Sequence, residues 1–163
     1  MSPTARMRLS AAAALGGLDS RPDLLAMNPY EFERLIQRLV EAMGFKAWRT
    51  QSSRDDGIDA VAINESPLVG GLCVIQAKRY KDTIPVEAVR ALGGTMQEKR
   101  ATTGIVVATS SFGKASYDFA TSFGRIQLID GRNLKALLRE HLGIDVLIGL
   151  PKLPPGWERT DIS

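Results

Sequence analysis

Cysteine occurs once in this 163-residue chain and histidine once. A single cysteine excludes a disulfide framework and a cysteine-based zinc site, and it fits a reducing, cytoplasmic setting. Cys73 lies in an apolar run, where it packs as a small hydrophobe. The single histidine, His141, falls in the last turn of a predicted helix, where a cation complements the helix dipole, so no histidine-based triad can be assembled. Apolar runs of about 18 or more residues are absent, which leaves no predicted membrane-spanning helix. Nor is one sign of charge in great excess. A formal net charge of +3 permits a nucleic-acid partner without requiring one. Early in the chain, "ARMRLSAAAALGGL" places arginines ahead of small residues, as a signal peptide does. Its apolar stretch is short and the polar "DSRPD" follows, so secretion is not expected.

What is present suits one globular domain, at 44% hydrophobic and 24% charged residues. Residues 1–26 read as a flexible arm or linker, 27–145 as the folded domain and 146–163 as a tail rich in proline and charge. The first strong element is "NPYEFERLIQRLVEAMGF", with Asn28 as N-cap, Pro29 at the first helical position and Glu31 completing a capping box. "FKAWRTQ", "IDAVAIN" and "GGLCVIQAKRY" read as three successive strands, with Asp55 and Asp56 shaping the turn before the second. A helix over 85–100, softened by Gly93 and Gly94, leads to the apolar strand "TTGIVVATSS". A short helix, the strand "RIQLID" and an amphipathic helix "RNLKALLREHL" complete the order αβββαβαβα. Three successive strands suit an antiparallel meander, and a strand reached through a helix lies parallel to its neighbour. The expected fold is α/β, a mixed sheet flanked by helices.

Three strand residues interrupt this apolar pattern. Asp59 sits among Ile58, Ala60, Val61, Ala62 and Ile63, where a carboxylate is costly unless it is paired or bound to a metal. Gln76 and Lys78 follow the run Leu72–Ile75 and, two residues apart, share one strand face. If the two strands pair as a hairpin, Asp59, Gln76 and Lys78 converge. A carboxylate and an amide oxygen suit a hard cation such as Mg²⁺, and a lysine beside them can orient a water and offset phosphate charge. These are the parts for metal-assisted phosphodiester hydrolysis. A second carboxylate is needed. Glu31 belongs to the cap and Glu41 points away from the apolar stripe, whereas Glu33 falls on its border beside Val40. The metal set expected is thus Asp59, Glu33 and Gln76. "SSFGKAS" lacks the ending of a P-loop, so nucleotide hydrolysis is not supported. Arg79, Lys81, Lys99, Arg100 and Lys114 are candidates for contact with a DNA backbone.

Five ordered blocks, "NPYEFERLIQRLVEAMGF", "DDGIDAVA", "VIQAKRY", "TGIVVATSSF" and "IQLIDGRNL", together resemble the catalytic domain of Mrr-type restriction endonucleases, within the PD-(D/E)xK nuclease superfamily. The resemblance runs from about residue 27 to 142. It implies a restriction-endonuclease-like fold and a metal-dependent DNA endonuclease, with Mg²⁺ as cofactor and Mn²⁺ as a substitute. It matches Asp59 to the metal-binding aspartate, Lys78 to the motif lysine and Glu33 to a first-helix glutamate. Gln76 stands where the wider superfamily has a carboxylate, a replacement common in the Mrr branch. Asp56 departs from the more typical "DGGID". DNA is the partner implied, joined by a second copy of the chain or by a separate specificity protein. A Holliday-junction-resolvase-like nuclease and a DNA-binding module with a decayed site are the alternatives.

Overall fold

The computed structural model describes residues 20–51, 57–64 and 70–149. The arm over 1–19, the turn carrying Asp55 and Asp56, and the tail from 150 lie outside the described residues.

Helix α1, Pro29–Ala42, starts where its capping chemistry dictates, with the Asn28 side-chain oxygen accepting a hydrogen bond from the Glu31 amide at 2.8 Å. Phe32, Leu35, Ile36, Leu39 and Val40 recur every three or four residues and are the residues it buries. Gly44, at φ +102°, turns the chain into β1, Phe45–Gln51. Strands β2, Gly57–Asn64, and β3, Gly71–Lys78, pair antiparallel over eight residues without a register shift, whereas the β1–β2 ladder is interrupted between Lys46 and Arg49.

From β3 the chain crosses through α2, Val86–Lys99, to β4, Thr103–Ala108. A second crossover through α3, Lys114–Phe123, leads to β5, Ile126–Ile129, and α4, Gly131–Leu142, follows. The sheet order is β1-β2-β3-β4-β5, with β3, β4 and β5 parallel. This is the mixed sheet and the αβββαβαβα order expected from the sequence. Parallel neighbours joined through helices take right-handed crossovers, which puts α2 and α3 on one face of the sheet.

Strands β2, β3, β4 and β5 therefore contribute to two cores. On one face Ala60, Ala62, Cys73, Ile75, Ala77, Ile105 and Val107 pack with α1 and α4. On the other, Val74, Val106 and Ala108 pack with Val89, Leu92 and Met96 of α2 and with Phe112. Fully buried aliphatic side chains such as Ile75, Leu92 and Leu138 each stabilise the fold by about 1.5–3 kcal/mol relative to exposure. Burial also pushes the Cys73 thiol above its ordinary pKa, which keeps it protonated and unreactive.

Gly93, expected to soften α2, has a packing role instead. The helix runs through it unbroken, and a Cβ there would lie 3.0 Å from the Phe123 ring of α3. The packed body also reaches past residues 27 and 145. Leu24 is fully buried, its amide donates to the Leu147 carbonyl at 2.9 Å, and the Asp23 carboxylate accepts from the Leu25 and Gly149 amides. No helix among the described residues is long and apolar enough to cross a membrane.

Candidate active site

The alternation that fills the α1/α4 core sends the intervening residues to the other face. Ala60, Ala62, Ile75 and Ala77 point to α1 and α4, so Asp59, Val61, Val74, Gln76 and Lys78 share the face covered by α2 and α3. The β2–β3 register sets Asp59 directly opposite Gln76, and Gly57 opposite Lys78. Directly opposed residues have Cβ atoms about 4.5–5.5 Å apart, so the carboxylate and the amide are immediate neighbours. They line a small open cleft floored by Val61 and Val74 and closed on one side by Thr95 and Lys99 of α2. Ile63, two positions along β2 from Val61, is 43% exposed.

Lys78 occupies the next position of the same row, beyond Gln76 from Val74. It is half-buried, with its ammonium 5.9 Å from the centre of the Tyr80 ring. The backbone there is held from β4, because the Thr109 amide donates to the Lys78 carbonyl at 3.1 Å and the Thr109 hydroxyl to the Tyr80 carbonyl at 2.8 Å. A lysine on a backbone anchored in this way keeps its position relative to Gln76.

Arg79 differs from its expected role. Its guanidinium donates to the Leu24 carbonyl at 3.2 Å and to the Met27 carbonyl, and it lies 5.2 Å from the centre of the Phe32 ring. It ties the end of β3 to the start of α1 instead of presenting a free cation to DNA. The physical reason is alternation: one step along the strand from Lys78, it emerges on the α1 face. Lys81 is exposed, and Lys114 is exposed with a 2.7 Å ion pair to Asp118.

Glu33 is half-buried on α1, the helix that covers the opposite face of the sheet. Among the described residues it shares neither a hydrogen bond nor the cleft with Asp59 or Gln76. The Arg79–Phe32 contact nevertheless brings its sequence neighbour to the end of the sheet from which Lys78 emerges. His141 is exposed in the last turn of α4, apart from this region. Thr95 and Lys99 are the additions. Lys99 was legible only as one of several surface cations, and the i, i+4 spacing that puts it on one helix face with Thr95 was its only local signal.

The donor chemistry can be tested against a metal. Among the described residues no hydrogen bond or ion pair claims the Asp59 carboxylate or the Gln76 amide, so two oxygen donors remain available side by side. No group of three His, Cys, Asp or Glu side chains gathers among those residues. Few protein oxygens in an open cleft suit a hard cation that retains waters and takes further ligands from a phosphate, as Mg²⁺ does.

A family profile for the Mrr_cat domain, described as a restriction endonuclease, matches residues 24–138. The chain belongs to this family. A relative of the Mrr_cat domain, the type IV methyl-directed restriction enzyme EcoKMrr of Escherichia coli (strain K12), is 30% identical over 138 residues. That alignment covers 80% of this chain and 45% of EcoKMrr, so the chain spans about half the length of the curated relative it matches. Among solved structures, the DNA modification-dependent restriction endonuclease AspBHI aligns with a TM-score of 0.57 at 20% identity, over 90% of this chain and 37% of that one. The expected restriction-endonuclease-like fold is thereby shown. MspJI restriction endonuclease, solved in complex with a 27-mer oligonucleotide, aligns with a TM-score of 0.49 at 17% identity, over 85% of this chain and 32% of that one.

Proposed function

We propose that this Mrr_cat domain is a metal-dependent DNA endonuclease whose working residues are Asp59, Gln76, Lys78 and Glu33. The observation that carries the reading is the β2–β3 register, which sets a carboxylate opposite an amide with a lysine on the same face. Asp59 and the Gln76 side-chain oxygen would hold Mg²⁺, or Mn²⁺ in its place, with Glu33 of α1 as the further carboxylate of the set. The bound ion supplies Lewis-acid polarisation of a phosphodiester oxygen. Lys78 positions the attacking water and offsets the negative charge that develops on the phosphate. Thr109 keeps Lys78 in register by holding its backbone. Lys81 and Lys114, both exposed, contact the DNA backbone away from the reacting phosphate.

EcoKMrr is described as methyl-directed and AspBHI as modification-dependent, which makes methylated or otherwise modified DNA the first substrate to try. Besides DNA, the partners this reading brings are a second copy of the chain or a separate specificity protein. The test is cleavage of modified and unmodified plasmid with Mg²⁺, alone and with proteins encoded by neighbouring genes, and with a four-way junction as a further substrate. Asp59→Ala and Lys78→Ala are each expected to lower the rate by about 10²–10³-fold. Cutting that persists in both variants would overturn the assignment, and cutting confined to the junction would favour a resolvase.

A further inference from the structure

We infer that Lys99 is a second phosphate-binding cation of the Asp59–Gln76 cleft, contacting the DNA phosphate next to the one that is cut. The inference rests on the nuclease reading and adds to it a residue on a different element. Lys99 is the last residue of α2 and lines the cleft together with Asp59, Gln76 and Thr95. Helical side chains lean toward the helix N-terminus, so the Lys99 stem lies back over the turn carrying Thr95 and toward Gln76. It is half-buried while Glu98 and Arg100 on either side are exposed. Among the described residues no hydrogen bond or ion pair holds its ammonium. Thr95 donates its hydroxyl back to the Ala91 carbonyl at 3.1 Å, so it shapes the wall and leaves Lys99 as the donor on that side.

Charge and position give the choice of ligand. Among the described residues Asp59 is the carboxylate lining the cleft, while Lys99 lies within it and Lys78 stands beside it on the same face. A half-buried ammonium that no described side chain pairs favours an anion beside it. The two lysines also come from different elements, Lys99 from the end of α2 and Lys78 from the end of β3, two residues beyond Gln76. Successive phosphates of one DNA strand suit the pair, with Lys78 on the reacting group and Lys99 on its neighbour. A lysine acts there as a compact point charge, which suits a backbone contact without sequence readout.

The ordinary role for a lysine in a last helical turn is to complement the helix dipole, and it makes a different prediction. Duplex binding is measured without divalent metal, by fluorescence anisotropy across a salt series, for the wild type, Lys99→Met, Lys99→Arg and Lys135→Met. Lys135 is an exposed lysine of α4, on the far side of the sheet. Lys99→Met is expected to make the slope of log affinity against log salt shallower by about 0.9, equally for modified and unmodified duplex, while Lys99→Arg keeps it. With Mg²⁺, the same variant is expected to raise KM for DNA several-fold with a smaller effect on kcat. A Lys99→Met slope equal to that of the wild type and of Lys135→Met overturns the inference and leaves the nuclease reading standing, and a change confined to the thermal midpoint identifies a dipole role and does the same. A wild type that binds with a Lys99-dependent slope and never cuts overturns the nuclease reading but not the phosphate contact. Absence of duplex binding by the wild type overturns the phosphate contact and leaves the nuclease reading to the cleavage assay.

Discussion

The two faces of one pair of strands differ sharply in chemistry. Toward α1 and α4, β2 and β3 present Ala60, Ala62, Cys73, Ile75 and Ala77, all buried and apolar. Toward α2 and α3 the same strands present Asp59, Val61, Val74, Gln76 and Lys78, of which only Val61 and Val74 join the apolar core there. The first face is dry core and the second carries the polar row of the candidate site. Period-two alternation lets eight residues do both, since a substitution on one face leaves the other face's side chains in place.

That separation can be broken deliberately. Ile75→Ala removes a fully buried side chain from the dry face and is expected to cost about 2–5 kcal/mol of stability, measured by denaturant unfolding. Asp59→Ala, one position along the partner strand from Ile75's opposite number Ala60, is expected to leave stability within about 0.5 kcal/mol. Equal losses of stability in the two variants would mean that the faces are not independent. A finer probe is Gln76→Glu, which adds a second carboxylate opposite Asp59 and is expected to lower the half-saturating Mg²⁺ concentration by about an order of magnitude, read by titration calorimetry. An unchanged metal requirement would place the metal away from Gln76. The smallest effect concerns the frame alone. Asn28→Ala removes the cap of α1 and is expected to cost about 1 kcal/mol of stability, with kcat unchanged.

Much of the fold was legible because its signals are local. Asn28, Pro29 and Glu31 mark the start of a helix through contacts within one turn, and the apolar spacing that follows states which face is buried. The order of strands and helices, and the parallel placement of β4 after a crossover, follow from periodicity and chain handedness. Asp59, Gln76 and Lys78 stood out for the same reason, as polar residues interrupting apolar runs at spacings that name a strand face. Lys99 and Arg79 were not separable from other surface cations by such means. Their roles depend on which element lies across from them.

By itself, then, the amino-acid order determined the αβββαβαβα arrangement, the two-faced character of β2 and β3 and the polar row on one of those faces. Tertiary structure decided that Asp59 stands opposite Gln76 and not one pair away, because a ladder's register is a property of two strands and a one-residue slip reverses every side chain. It also decided that Arg79 anchors α1 while Lys99 joins the cleft. An isolated cation has no intrinsic preference between these roles. The neighbours that packing brings within reach, carbonyls and a ring for Arg79 and the Asp59–Gln76 cleft for Lys99, are what distinguish the two.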